Sequence, residues 1–306
     1  MPLCKHFFLR ILLFALLLTS GQSLRSQSNV DFSWWNNKHG WDGYSHWTDY
    51  LIYAPGYLGP NALPVPNIPN GRLGEQIEIE TQVFTHSQPG ELSVNSSYRV
   101  LWPMANGKMG IELEHIAAEY YQTDSILRDK RAARFREVTG FATGDLNITT
   151  YISLLRDSQW PDVLLRINLR TASGSDIENA RFTDMPGYFF DISAGKTINA
   201  KGKLNLRIYG MAGLYVWQIE RRRQNDAPLW GLGAKLMTKT LSMSIGAAGY
   251  LGYLNKGDRP IQLRASTHFK MGNNFEFSIF GSKGVNDIFF YTLGFSGTYS
   301  FIYNNK

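Results

Sequence analysis

What most constrains the fold of this chain is a two-residue period that begins near Glu75 and persists to the C-terminal end. Apolar and polar side chains alternate in successive runs. In one run Leu92, Val94, Ser96, Tyr98, Val100 and Trp102 share a face, against Ser93, Asn95, Ser97 and Arg99. In another, Ile261, Leu263, Ala265, Thr267 and Phe269 stand against Gln262, Arg264, Ser266, His268 and Lys270. Such alternation marks a strand whose two faces meet different surroundings. Twelve segments can be drawn, at about 75–85, 91–103, 108–119, 145–157, 161–173, 187–198, 203–219, 228–238, 240–254, 258–270, 273–281 and 287–303. Most are 9–13 residues long. That is near the ~9–11 residues that cross a bilayer at a tilt and beyond the ~5–6 of soluble strands.

The connections alternate as well. The even ones are short, as at Ala105-Asn106-Gly107, Ser158-Gln159-Trp160, Asn199-Ala200-Lys201-Gly202, Lys239 and Met271-Gly272. The odd ones run longer on average, with Tyr120 to Gly144 the extreme. An even strand count with short periplasmic turns and longer outer loops is the pattern of a transmembrane barrel. About eight strands already fill their interior with side chains, so twelve imply a polar lumen and an apolar outer face. Trp102, Tyr188, Trp230, Tyr253, Tyr299 and Tyr303 lie near strand ends, where interfacial girdles form. The expected fold is an all-β, transmembrane, antiparallel up-and-down β-barrel of about 12 strands over 74–306, preceded by an irregular N-terminal arm.

The first 23 residues read as a signal peptide. Lys5 and Arg10 precede the apolar run Ile11–Leu18, and small residues follow at Thr19 to Ser23. Cleavage there removes Cys4, the sole cysteine, and leaves no thiol for disulfide or redox chemistry. Residues 24–73 are crowded with Trp34, Trp35, Trp41 and Trp47, then with Pro and Gly through Gly59-Pro60-Asn61-Ala62-Leu63-Pro64-Val65-Pro66 and Pro69. Proline at this density disfavours helix and strand alike. This arm is expected to fold against the periplasmic mouth or into the lumen as a plug, because its aromatic rings need a surface it does not itself supply.

Gly144-Asp145-Leu146 with its alternating strand, then Asp162-Val163-Leu164-Leu165-Arg166-Ile167-Asn168-Leu169-Arg170-Thr171-Ala172-Ser173-Gly174, form a Gly-Asp, strand, basic residue, Thr/Ser-Gly pattern. The stretch resembles the outer-membrane family named for the MetA pathway of phenol degradation, and Ala180-Arg181-Phe182, Asp184-Met185-Pro186-Gly187-Tyr188, Asp191 and the Gly59-to-Pro66 run resemble uncharacterised outer-membrane barrels, of transporter kind. It departs at Thr171-Ala172, where that family more often has Pro-Thr. The resemblance covers about the middle third of the chain. It implies a barrel with a transport role and carries over no catalytic residue.

The polar faces place Glu78, Glu80, Glu112 and Glu114 in the lumen, with Arg99, Asp191 and Glu276. Opposite them Arg166, Arg170, Arg207, Lys235, Arg264 and Lys270 make a longer basic sector. Charged walls of opposite sign select polar or anionic solutes; alternatively the charges pair with one another or with the arm and fill the lumen. Lys130, Arg131 and Arg134 in the third connection, and Arg221, Arg222 and Arg223 in the seventh, are candidates to bridge lipopolysaccharide phosphates. A competing class is a lipid-acting hydrolase on the outer face, for which Ser96 and His115 are the formal pair.

No phosphate loop, His-Glu-x-x-His or calcium loop occurs, so no cofactor is expected, and the basic runs lack a nucleic-acid module. The expected function is a passive channel or transporter for small polar or aromatic solutes in the bacterial outer membrane. Its expected partners are membrane lipid, lipopolysaccharide and the barrel-assembly machinery. A structural or partner-binding barrel is the third reading.

Overall fold

The computed structural model describes residues 30–199, 204–219 and 223–302. The signal peptide, Arg221, Arg222 and Tyr303 lie outside them. The strands are β1 (Ile77–Gln88), β2 (Glu91–Met104), β3 (Met109–Thr123), β4 (Thr139–Ala142), β5 (Leu146–Leu155), β6 (Asp162–Arg170), β7 (Gly187–Asn199), β8 (Asn205–Gln218), β9 (Gln224–Met237), β10 (Leu241–Tyr250), β11 (Ile261–Met271), β12 (Phe275–Asn286) and β13 (Tyr291–Phe301). Each barrel strand pairs antiparallel with the next, and β1 pairs with β13 from Ile77↔Phe301 to Ser87↔Tyr291, so the sheet closes on itself. Closure leaves no lipid-facing edge of unpaired N–H and C=O groups.

Twelve of these strands form the barrel, and each overlaps one alternating segment of the sequence. The thirteenth, β4, was not expected. It is four residues long and pairs only with the upper end of β3, from Glu119↔Ala142 to Gln122↔Thr139. Four residues are too few for a period to show. β9 starts at Gln224 rather than near 228, carried through Pro228 by its ladder with β8.

Faces sort as the period requires. Val94, Trp102, Leu263, Phe269, Leu293 and Phe295 are exposed on the outer surface, while Ser93, Asn95, Ser97, Gln262 and Ser296 are buried inside. One end of the barrel carries only short turns, and the strands begin and finish there. The other carries the connections 124–145, 171–186 and 251–260.

The arm is not gathered at the short-turn mouth. Its first part, helix α1 (Ser33–His39), packs at the long-loop end against helix α2 (Ser125–Lys130) and the residues after it. Trp35 is fully buried there and donates from Nε1 to the Ala132 carbonyl at 3.0 Å. The chain then descends the lumen. Gly56 bonds Gly257, Gly59 bonds Ala180, and Arg72 reaches Asp157 at the far end before β1 begins. At Gly71 (φ +83) the arm touches the wall so closely that a Cβ there would sit 2.6 Å from the Gly195 nitrogen. A Cβ on Gly195 would in turn meet the Asn70 carbonyl, so both positions need glycine.

Much of the long-loop half of the lumen is apolar, although Glu91, Glu119, Arg131 and Arg181 are buried there too, which corrects the expectation of a polar interior throughout. Leu51, Tyr53, Leu58, Leu63 and Val65 of the arm pack with Met211, Tyr215, Trp217, Tyr250, Ile288 and Phe290 of wall and loops. Tyr215 and Tyr250 meet edge to face with centroids 4.9 Å apart. A twelve-strand lumen is too wide for its own side chains to fill, and the arm supplies the missing core.

Candidate functional site: a polar lumen and its threaded arm

A proline-rich strap makes few backbone hydrogen bonds of its own, yet its buried carbonyls need donors. The wall provides them, mostly from arginine. Arg170 donates to the Ala62 carbonyl, and Arg264 to those of Val65 and, at 2.7 Å, Pro66. Arg207 Nε donates to the Asn70 carbonyl at 2.9 Å. Trp217 Nε1 donates to Tyr53 at 2.9 Å and Tyr250 Oη to Leu63 at 2.7 Å. Much of the basic sector thus grips the arm's main chain. One side chain of the arm is held as firmly: Asn61 Nδ2 donates to Asn95 Oδ1 at 2.9 Å and to Glu119 Oε2 at 2.6 Å.

The acidic sector is organised around one guanidinium. Arg99 binds Glu78 and Glu80 at 2.8 Å and Glu112 at 2.9 Å, and Tyr151 Oη donates to Glu112 at 3.1 Å. Arg166 pairs with fully buried Asp191 at 2.7 Å and lies over the Phe189 ring. Arg207 also pairs with Asp162 at 2.8 Å. Lys270 is opposite Glu276 in the ladder near the short-turn mouth, and Lys235 faces the lumen opposite Ser244. Between arm and wall lies a cavity of about 580 Å³. Glu80, Arg99, Glu112, Glu114, Arg166, Arg170 and Arg264 line it, with Ser97, Thr149, Gln262, Ser266 and His268. Glu114 makes no hydrogen bond or ion pair among the described residues.

At the long-loop end the basic candidates divide. Arg131 is buried and pairs with buried Glu91 at 2.7 Å, so it is not a lipopolysaccharide contact. Arg134 lies over the rings of Phe32 and Trp47, and Lys130 over Tyr57, fastening the arm to the loop. Arg223 is exposed. The side chain that sequence reasoning missed is Arg181. It is fully buried and bonds both Glu91 and Glu119. Burial opposes its charge, yet Glu119 and Glu91 outweigh that and hold the guanidinium protonated above its ordinary range. A lone arginine in an aperiodic loop gave no signal of this role. The expected Ser96–His115 pair is not assembled. Ser96 faces Ala118 in the ladder, across a bulge from the Tyr98–His115 pair, and the His115 ring packs on Tyr98 with centroids 5.4 Å apart. Among the described residues no group of three or more His, Cys, Asp or Glu is placed to hold a metal ion.

No protein-family model matches the chain, and no curated protein sequence matches it either. The fold does have solved counterparts. It is similar to an outer membrane channel from Pseudomonas putida F1, with TM-score 0.51 and 13% identity over 79% of this chain and 97% of that one. It is more loosely similar to KdgM porin, with TM-score 0.45 and 10% identity over 72% and 99%. It is also similar to the CymD monoaromatic hydrocarbon channel, with TM-score 0.36 and 9% identity over 76% and 90%. At these identities the likeness is one of fold, and the fold is that of the outer-membrane β-barrels.

Proposed function

We propose that the chain is an outer-membrane channel or transporter for small polar solutes, gated by its own N-terminal arm. The observation that carries this reading is the cavity of about 580 Å³ between arm and wall, with charged groups of both signs on its lining. A lumen meant only as a filled structural core has no use for such a space, or for a carboxylate such as Glu114 without a partner. The arm that closes the long-loop half is held by hydrogen bonds, ion pairs and packing, so it can be displaced without breaking a covalent bond. The fold likeness to a crystallised channel supports the same reading. In this reading the barrel-assembly machinery inserts the chain. Lys130 and Arg223, exposed at the long-loop end, meet lipopolysaccharide phosphates.

Single-channel recording in planar bilayers tests the proposal. Wild type is expected to conduct weakly and in bursts. Deletion of 30–73 should raise the conductance several-fold. Because that deletion removes about a third of the upper core, Arg264→Met and Arg207→Met provide a milder test and should lengthen the open bursts. Equal traces from all of them would overturn gating by the arm, and silence from all of them would overturn the channel.

A further inference from the structure

Three lumen side chains take no part in gripping the arm. Ser266 and His268 are two residues apart on β11, so they point to the same face of the strand, here the lumen. Ser266 Oγ lies 2.9 Å from His268 Nε2. The other ring nitrogen, Nδ1, lies 2.9 Å from Glu276 Oε1, carried by β12 across the tight turn at 272–274. With its proton on Nδ1, donated to the carboxylate, the imidazole presents the Nε2 lone pair to the serine hydroxyl. That is a nucleophile bonded to a base, and the base oriented by a third group. A second hydroxyl, Ser244 Oγ on β10, lies 2.7 Å from Ser266 Oγ and limits its rotation. Ser244, Ser266 and His268 all line the cavity, so a bound molecule there lies against the hydroxyl.

We propose that Ser266, His268 and Glu276 form a serine-esterase site inside the lumen, acting on a small carboxylic ester. The proposal goes beyond a channel role. Ser266 Oγ attacks the ester carbonyl and its proton passes to Nε2. The tetrahedral intermediate collapses with loss of the alkoxide, which takes that proton and leaves as the alcohol. Water then attacks the acyl-serine, giving its proton to Nε2. The acid departs and the proton returns to Ser266. No oxidant or cofactor enters. In this step Lys235, opposite Ser244 in the β9–β10 ladder and so on the same, lumen-facing side of the sheet, stabilises the oxyanion. A cavity of about 580 Å³ suits a compact aryl or short-chain ester and is too small for a two-chain phospholipid. β11 ends at Met271, three residues past His268, so the site lies near the short-turn end.

The test uses the full mature chain, refolded in detergent, with a fluorophosphonate probe and p-nitrophenyl butyrate. With Cys4 removed in the signal peptide there is no thiol to react in its place. Wild type should be phosphonylated at Ser266, mapped by peptide mass spectrometry, and Ser266→Ala should lose the label. Ester turnover should fall at least about 100-fold in Ser266→Ala and His268→Ala, the scale expected for loss of a nucleophile or its base. Glu276→Gln should fall about 10-fold and, unlike a merely structural change, should move the acidic limb of the pH–rate profile, which reports the base, to lower pH. Labelling of wild type needs no variant to fold. If Ser266 in folded wild type takes no label, or if wild type hydrolyses the ester no faster than Ser266→Ala, the site is not an esterase.

Discussion

At the scale of single residues, the lumen uses its charges in two ways of different strength. Arg264 is one guanidinium shared by two carbonyls of the arm and by Gln262. Hydrogen bonds from a charged donor contribute about 1.5–3 kcal/mol each at most. Arg264→Met should therefore lower the thermal transition by a few degrees while the barrel still closes, as read by the heat-dependent shift in gel migration. Arg181 is a stronger case. Its removal would leave the buried carboxylate of Glu119 without its cation, while Glu91 keeps Arg131, and breaking a buried pair from one side costs about 3–5 kcal/mol. Arg181→Leu should destabilise more than Arg264→Met in the same assay; the reverse order would show that the loop clamp is dispensable. The sequence showed that acidic and basic groups face one another across the lumen, because strand parity places them there. It could not show that the basic groups bind carbonyls rather than solutes. A carbonyl leaves no mark on the residue type that carries it.

At the scale of elements, the strands were legible and the arm's path was not, for one physical reason. A strand between lipid and lumen must alternate, so each of the twelve wrote its face into the sequence. The arm meets the wall through prolines, glycines and main-chain oxygens, which need no period, and only its tryptophans betrayed a need for cover. One of its contacts responds to pH. Lys38 of α1 bonds Asp129 of α2 at 2.6 Å. Burial pushes the Asp129 carboxyl up, but hydrogen bonds from Lys38 and Arg128 outweigh it and leave the group below its ordinary range. A carboxyl held lower in the docked state stabilises docking above its undocked value, and that contribution is lost as pH falls through the depressed one. Docking of α1 should thus be constant at neutral pH and loosen only below about pH 4, where free Asp side chains begin to protonate. Hydrogen exchange of residues 33–39 would report it. Asp129→Asn should exchange faster at neutral pH and lose the acid dependence, and an unchanged profile in that variant would remove Asp129 from the account.

At the scale of the whole molecule, threading sets a topology that neither the strand count nor the arm's composition reveals alone. β1 starts and β13 ends at the short-turn end, which in barrels of this kind is the periplasmic side. The arm leaves β1 at that end, runs the length of the lumen and surfaces among the long loops. In that orientation residues 30–50 should stand on the outer side, whereas the sequence places the arm against the periplasmic mouth or in the lumen. Tyr44, 96% exposed in that head, is the natural reporter. Lys239, exposed in the tight β9–β10 turn, reports the opposite face. Cys4 is the sole cysteine, so in a Cys4→Ser background one introduced cysteine can be read at a time. Tyr44→Cys should react with a membrane-impermeant maleimide on intact cells, whereas Lys239→Cys should react only after the outer membrane is opened. If both react only after opening, the arm does not pass through its own barrel. If Lys239→Cys alone reacts on intact cells, the barrel is inserted the other way up. Either result would remove the arm as an outward-facing gate.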